Sequence, residues 1–168
     1  MLTTLVCLAL SQNMPALDVT QGNHRIHDIA KTGTGEQLKA LLAKEPSLLN
    51  LKNVRGSTPL HLAAINPDGT VMESLLAAGA AVNVADEEGF TPLHMAAFHR
   101  QADYALLLLE AGADVNAKTV SGRTPLSMAE KARADETSGV ISLWILKGCK
   151  PKQCCGVGTT RAVKKLVK

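Results

Sequence analysis

The chain of 168 residues is 46% hydrophobic, 20% charged and only 2% aromatic. These proportions exclude disorder throughout, suit a single domain, and predict a core of Leu, Ala, Val and Ile without large aromatic pockets. The net charge of +3 is unevenly distributed, because no acidic residue follows Glu136 while seven basic residues do. A net acidic body therefore precedes a basic tail, and the two invite different partners.

The N-terminal stretch contains an apolar run at residues 2–10 that is too short to span a bilayer as a helix. It resembles the apolar part of a secretory signal, although no Lys or Arg precedes it. It is a signal peptide, a hydrophobic flap over the domain that follows, or an upstream extension of a chain that starts at Met14. We assign residues 1–22 to an N-terminal apolar extension and expect a cytoplasmic protein, or a secreted or periplasmic one if residues 1–13 act as a signal.

A nine-residue motif occurs three times in the central part of the chain. It reads Gly-Ser-Thr-Pro-Leu-His-Leu-Ala-Ala at 56–64, Gly-Phe-Thr-Pro-Leu-His-Met-Ala-Ala at 89–97 and Gly-Arg-Thr-Pro-Leu-Ser-Met-Ala-Glu at 122–130, with both offsets equal to 33 residues. Such a strict period indicates a stack of small units, each contacting only its neighbours. A degenerate first unit begins near His24 and lacks the Thr-Pro pair, as expected of a terminal cap.

Each full unit predicts a pair of helices. The threonine of the motif suits an N-cap and the following proline suits the first helical turn. The second helix carries apolar residues at i, i+1, i+4 and i+5, starting at Val71 and at Tyr104, which makes one face for the core. A glycine then ends the helix. The positions to which we assign structural roles are Thr58, Pro59, His61, Gly79, Thr91, Pro92, His94, Gly112, Thr124 and Pro125.

The 33-residue period and the Thr-Pro-Leu-His-x-Ala pattern resemble the ankyrin repeat family. The resemblance implies an all-α solenoid of stacked helix-turn-helix units with projecting β-turn fingers, in which the motif histidines hydrogen-bond within and between loops. It places repeats at about 23–54, 55–87, 88–120 and 121–147, which together form the domain 23–147. Ser127 and Glu130 depart from the motif in the last unit, as a cap does, and Arg100 stands where the family commonly has glycine.

The sequence offers no chemistry of its own. The four cysteines lack paired C-x-x-C spacing and a nearby His, so we expect neither a metal site nor a cofactor, and interpret them as free thiols in a reducing compartment. His61 and His94 recur with the scaffold, and no nucleophile or base accompanies them at a recognisable spacing. We therefore predict that the protein is not an enzyme.

Function is expected on the surface that the repeat does not dictate. The resemblance implies a protein–protein interaction module, a scaffold, adaptor or inhibitor, that binds its partner on the concave face formed by fingers and inner helices. We expect a monomer. Phe90 and Phe98 both fall in the middle repeat at such positions, where one of them could instead be half-buried between fingers. The candidate contact residues are Val54, Arg55, Ser57, Ile65, Asn66, Glu87, Glu88, Phe90, Phe98, His99, Arg100, Val120, Ser121 and Arg123.

The end of the chain has two different parts. Trp144 is expected to be buried at the open end of the stack. Residues 148–168 form a basic, cysteine-containing tail without a repeat signal, which is either a solvated extension or a tether to an anionic membrane or acidic partner. The tether is the alternative function. No aromatic residue interleaves the lysines, so we expect no nucleic-acid partner.

Overall fold

The computed structural model describes residues 24–149, so the predictions for residues 1–23 and 150–168 fall outside the described part. Eight α-helices and one short 3-10 helix, but no strand, occur within it, which confirms the all-α prediction. The helices form four consecutive pairs: α1 (Arg25–Thr32) with α2 (Gly35–Lys44), α3 (Pro59–Ala63) with α4 (Gly69–Ala77), α5 (Pro92–Phe98) with α6 (Ala102–Glu110), and α7 (Pro125–Lys131) with α8 (Asp135–Lys147). The 3-10 helix, Pro46–Asn50, follows α2.

The pairs stack in two rows. Helices α1, α3, α5 and α7 pack side by side in an inner row, and α2, α4, α6 and α8 pack in an outer row. Each inner helix also contacts the outer helix of its own unit. This arrangement is the solenoid expected from the period, because each unit buries its apolar face only against its neighbours.

The core consists of the apolar positions predicted from the motif. Leu60, Leu93 and the paired alanines of the second and third motifs are buried, as are the predicted faces of α4 and α6 apart from the partly buried Leu76. Leu108 is 0% exposed and Ile141 occupies the equivalent core in α8. Trp144 is buried as expected.

The motif histidine completes the N-terminal cap of each inner helix. Thr58 has an extended backbone before Pro59, and its N–H donates to Nδ1 of His61 over 3.1 Å. Because a backbone N–H can only donate, Nδ1 is an acceptor, and a neutral ring must carry its proton on Nε2. That Nε2 lies 3.0 Å from the carbonyl oxygen of Phe90, in the next unit. Each histidine therefore holds one helix start and one neighbouring loop.

The same arrangement repeats along the stack and stops at its end. Nε2 of His27 lies 3.0 Å from the Leu51 carbonyl oxygen, and Nε2 of His94 lies 3.1 Å from that of Arg123. In the last described unit Ser127 takes the position, and its hydroxyl donates to Thr124 O within the same unit, over 2.8 Å. Among the described residues, Ser127 therefore bonds only within its own unit, whereas each motif histidine also contacts a later loop.

The connections between paired helices differ from unit to unit. Arg100 and Arg133 occupy equivalent positions and both adopt positive φ, 62° and 51°, in the left-handed region where glycine is favoured. After the outer helices, Gly79 and Gly112 have φ of +82° and +101°, in the left-handed region that favours glycine at the end of a helix. Arg100 and Arg133 therefore keep long side chains at a conformational cost.

Cys149 is disulfide-bonded, so the interpretation of the cysteines as free thiols is wrong for this residue. None of the helices within residues 24–149 has the length and apolarity that a membrane span requires.

Candidate interaction surface

Three short loops, which we call fingers 1, 2 and 3, precede α3, α5 and α7 at residues 53–57, 86–90 and 119–123. In each, the N–H of the first residue donates to the carbonyl of the last, over 3.0, 2.9 and 3.0 Å. The first side chain then accepts hydrogen bonds from the turn: Oδ1 of Asp86, for example, accepts from the N–H groups of Glu88 and Phe90. Asn53 and Thr119 act similarly in their own fingers. The conformation of each finger is therefore fixed by its own backbone and one polar side chain.

The fingers are also tied to each other. The N–H of Glu87 donates to Arg55 O over 3.1 Å, and the N–H of Val120 donates to Glu88 O over 2.9 Å. Gly89 has φ +81°, and a Cβ at this position would lie 2.7 Å from the Val120 nitrogen. Glycine is thus needed there for both its backbone conformation and the close approach of finger 3. The result is a row whose geometry does not depend on the side chains at the finger tips.

A cleft of about 430 Å³ lies between fingers 2 and 3. We call it the finger cleft. Phe90 contributes a half-buried ring, which meets the His94 ring edge-on with centroids 6.0 Å apart. Val120 is 82% exposed. The residues that line the cleft are Glu87, Glu88, Phe90, Val120, Ser121 and Arg123, all of which are among the predicted contact residues.

The inner helices add an apolar patch behind the fingers. Phe98, the last residue of α5, is 47% exposed, and its ring meets the ring of the exposed His99 edge-on at 5.3 Å. Ile65 holds the equivalent position after α3 and is partly buried. Leu62 and Met95 stand three residues earlier in each unit, so they share that side of the two inner helices, and both are partly buried.

Leu62 and Met95 were not among the predicted contact residues. A signal for them exists in the sequence, because each lies between the fixed histidine and the fixed alanine of the motif at a position that the motif leaves open. Lys31 and Lys131, both exposed, occupy the positions equivalent to Ile65 and Phe98 in the first and last units. The apolar patch therefore lies between two units that each place a lysine at the same register.

A family model of ankyrin repeats, described as three copies, matches residues 26–119 and 71–155. These two matches together cover well over half of the chain. The chain belongs to the ankyrin repeat family. Ankyrin repeats are generally protein–protein interaction modules and typically act without catalysis.

Two of the predicted contact residues are not on the surface of this ankyrin domain. Ser57 is 9% exposed and Asn66 is 1% exposed. The Asn66 amide nitrogen donates to the carbonyl oxygens of Ala30 and Gly33, both over 3.0 Å, and the Asn66 carbonyl accepts from the Tyr104 hydroxyl over 2.7 Å. Asn66 therefore connects three consecutive units, and its assignment to the contact surface is wrong, as is that of Ser57.

The other twelve predicted residues remain accessible. Ile65 and Phe90 are partly buried, and the remaining ten are exposed: Val54, Arg55, Glu87, Glu88, Phe98, His99, Arg100, Val120, Ser121 and Arg123.

The motif histidines of the ankyrin repeats form hydrogen bonds within the scaffold. Both ring nitrogens of His61 and His94 have hydrogen-bond partners, and burial lowers the pKa of each imidazole despite the backbone carbonyls that favour its charged form. Within residues 24–149 no group of three His, Cys, Asp or Glu side chains is placed to hold a metal ion. What the exposed surface offers is a set of charged and apolar side chains on a fixed backbone.

Proposed function

We propose that this ankyrin domain is a monomeric protein-recognition module, a scaffold, adaptor or inhibitor, that binds a partner on the surface formed by its fingers and inner helices. The observation that carries the proposal is where the exposed apolar side chains lie. Of the six large hydrophobic residues exposed in residues 24–149, three are on this surface: Val54, Phe98 and Val120. Aromatic and aliphatic side chains on such a surface are the groups that a protein partner can cover.

The scaffold does not explain these three side chains. Fingers 1 and 3 are closed by Asn53 and Thr119 without the side chains of Val54 and Val120. The buried core does not include Phe98, which lies at the end of its helix. Transfer of apolar surface out of water contributes about 25 cal/mol per Å², so covering a phenylalanine ring with a partner supplies a substantial part of a binding free energy. Aromatic side chains in such positions are common hot spots.

The proposal is tested with a surface variant and a matched control. The surface variant carries Val54→Ser, Phe98→Ala and His99→Ala. The control carries Lys39→Ala, Glu73→Ala and Glu110→Ala, three exposed residues of the outer helices. Partners captured from an extract by the unmodified chain are quantified for each variant, and melting curves verify that both variants fold.

We expect the surface variant to lose more than about tenfold in partner recovery, since hot-spot truncations each cost over 1 kcal/mol, while the control retains its partners. Equal recovery by the two variants would contradict the proposal.

The basic tail supports a second candidate, a tether to an anionic membrane or acidic partner. Seven Lys and Arg residues follow Glu136 without an acidic residue among them. Clusters of this kind attract anionic lipid headgroups with about 1 kcal/mol per charge. Replacing Arg161, Lys164, Lys165 and Lys168 by Gln is then expected to abolish sedimentation with phosphatidylserine vesicles at low salt. If partners persist in the surface variant and vanish in this one, the tail and not the finger surface is the main binding site.

The cellular compartment of the protein is also open to a direct test. A cytoplasmic location remains the prediction from the sequence. The alternative is a secreted or periplasmic location, if residues 1–13 act as a signal peptide. N-terminal sequencing of the mature protein distinguishes the two, since cleavage after the apolar run would establish export.

A further inference from the structure

Opposite charges line the finger cleft without neutralising each other. Glu87 and Glu88 lie on finger 2 and Arg123 lies on finger 3. Within residues 24–149 these three residues form hydrogen bonds only through their backbone atoms, and none of their side chains has an ion-pair partner. All three are exposed. Their charges are therefore available to a partner.

The backbone that carries these charges is fixed before any partner binds. The Glu88 carbonyl accepts from the Val120 N–H, the Arg123 carbonyl lies 3.1 Å from Nε2 of the buried His94, and the Glu87 N–H donates to finger 1. Preorganisation of this kind reduces the entropy lost on binding. It also holds the acidic wall and the basic wall of the cleft on opposite sides.

Each of the two fingers also contributes an apolar residue to the cleft. The half-buried Phe90 ring and the exposed Val120 side chain both line it. A volume of about 430 Å³ is within the range of ligand sites, yet the cleft is open to solvent along the row of fingers. An open cleft suits a segment of chain that lies across it better than a small molecule that must be enclosed.

The surrounding charges follow the same pattern. Arg55 is exposed on finger 1, and Lys52 is exposed just before it. Lys118 is exposed just before finger 3. Finger 2 is the acidic member of a row whose two neighbours are basic. A partner that lies across fingers 2 and 3 therefore contacts negative charge on finger 2 and positive charge on finger 3.

We propose that the finger cleft binds an extended partner segment in which an apolar side chain is flanked by a basic side chain on one side and an acidic side chain on the other. The basic group lies against Glu87 and Glu88, the apolar group covers Phe90 and Val120, and the acidic group lies beside Arg123. This inference rests on the proposed function, which it makes specific. Alternate side chains of an extended segment share one face, so the three groups stand two residues apart.

The test uses three capped peptides that differ only in the outer groups: Lys-Ser-Leu-Ser-Glu, Lys-Ser-Leu-Ser-Lys and Glu-Ser-Leu-Ser-Glu. Each is titrated into the ¹⁵N-labelled full chain, and the amide shifts of the cleft residues are followed. We expect the mixed-charge peptide to bind about two- to fivefold more tightly than either like-charged peptide, because each like-charged peptide exchanges one weak, exposed ion pair for a repulsion. The comparison does not depend on the direction in which a peptide lies.

Charge reversal sharpens the test. In Arg123→Glu the preferred peptide is expected to become the one with two lysines, and in Glu87→Lys with Glu88→Lys it is expected to become the one with two glutamates. Lys39→Glu, an exposed charge reversal on α2, serves as the matched control and keeps the original preference. Melting curves establish that each variant is folded.

Three outcomes would overturn the inference: the same ranking of peptides in the unmodified chain and in Arg123→Glu, binding that shifts amides outside the cleft only, or no shift at about 10 mM peptide. None of these outcomes bears on the proposed function, whose surface variant changes no residue of the cleft. Conversely, if the surface variant and its outer-helix control recover their partners equally, the proposed function is contradicted. That result would not change the peptide affinities measured for the cleft.

Discussion

His61 and Phe90 are joined by the 3.0 Å contact between the His61 Nε2 atom and the Phe90 carbonyl oxygen, which links the start of α3 to the last residue of finger 2. The Phe90 side chain lines the finger cleft, so a buried histidine of one unit supports a surface residue of the next.

The first prediction follows from this link. His61→Ala removes the ring nitrogen that accepts from the Thr58 N–H and lies 2.9 Å from the Thr58 hydroxyl, so these two buried groups lose their partner, while Phe90 O keeps the Asp86 N–H. Unsatisfied buried groups cost about 1–3 kcal/mol each, so we expect the free energy of unfolding to fall by about 2–5 kcal/mol in urea denaturation. His99→Ala, at an exposed histidine, is the control and is expected to change it by less than about 0.5 kcal/mol. Similar losses in the two variants would show that His61 is not part of the scaffold.

The second prediction concerns pH. Burial lowers the pKa of His27, His61 and His94 below the ordinary value of 6.5. The unfolded chain therefore takes up protons on these rings at a higher pH than the folded chain does, so their contribution to stability is complete above pH 6.5 and is lost as the pH falls below it. Each ring that stays neutral in the folded state lowers the free energy of unfolding by up to about 1.4 kcal/mol per pH unit.

Urea denaturation at pH 7.5 and pH 5.5 measures this loss. We expect a clear decrease at the lower pH, and a smaller decrease in His94→Gln, which has one buried imidazole fewer. Stability that stays constant between the two values would mean that these rings are as easily protonated in the folded chain as in the unfolded one.

The sequence predicted the scaffold well because the scaffold is what repeats. Thr91 and Pro92 specify a helix start by local chemistry, and the apolar face from Tyr104 to Leu109 needs only helical periodicity. Asn66 was misassigned for a different reason. Its position relative to the helix end indicated a surface residue, whereas its burial results from contacts with Ala30 and Tyr104, which are 36 and 38 residues away in sequence.

The finger cleft could be predicted only in part. Its residues were identifiable because they lie in the turns between fixed motifs. Glu88 and Arg123 line the same cleft because fingers 2 and 3 lie side by side. The hydrogen bond from the Val120 N–H to Glu88 O holds the two fingers together, and Gly89 lets the backbone of finger 3 come close to finger 2. Neither of these contacts has a local signature in the sequence.

The third prediction tests the linear architecture. Leu108→Ala truncates a fully buried side chain of α6, so we expect a loss of about 2–5 kcal/mol in the free energy of unfolding. Because each unit depends on its neighbours, amide hydrogen exchange is expected to accelerate in α4 and α8 as well as in α6. Leu107→Ala, at a partly buried position of the same helix, is the control and is expected to cost less. Faster exchange confined to α6 would contradict the coupling between units.

The fourth prediction concerns the backbone strain between α7 and α8. Arg133 has φ 51°, and its backbone N–H and that of Ala134 close the end of α7 by bonding to Glu130 O and Ala129 O. Glycine adopts this conformation without the steric cost of a Cβ, and the hydrogen bonds do not involve the side chain. Glycine also increases the conformational entropy of the unfolded chain, which offsets part of this gain. We therefore expect Arg133→Gly to raise the free energy of unfolding by a net amount of up to about 1 kcal/mol.

Lys131→Gly is the matched control, because Lys131 is exposed and lies only two residues earlier, at the end of α7. There the same change is expected to destabilise by about 0.5–1 kcal/mol, since glycine is a poor helix residue. The two variants should thus differ in sign when compared by urea denaturation at one pH. If Arg133→Gly is as destabilising as Lys131→Gly, the side chain of Arg133 contributes contacts that outweigh the strain, and the positive φ at the equivalent Arg100 would then have to be interpreted in the same way.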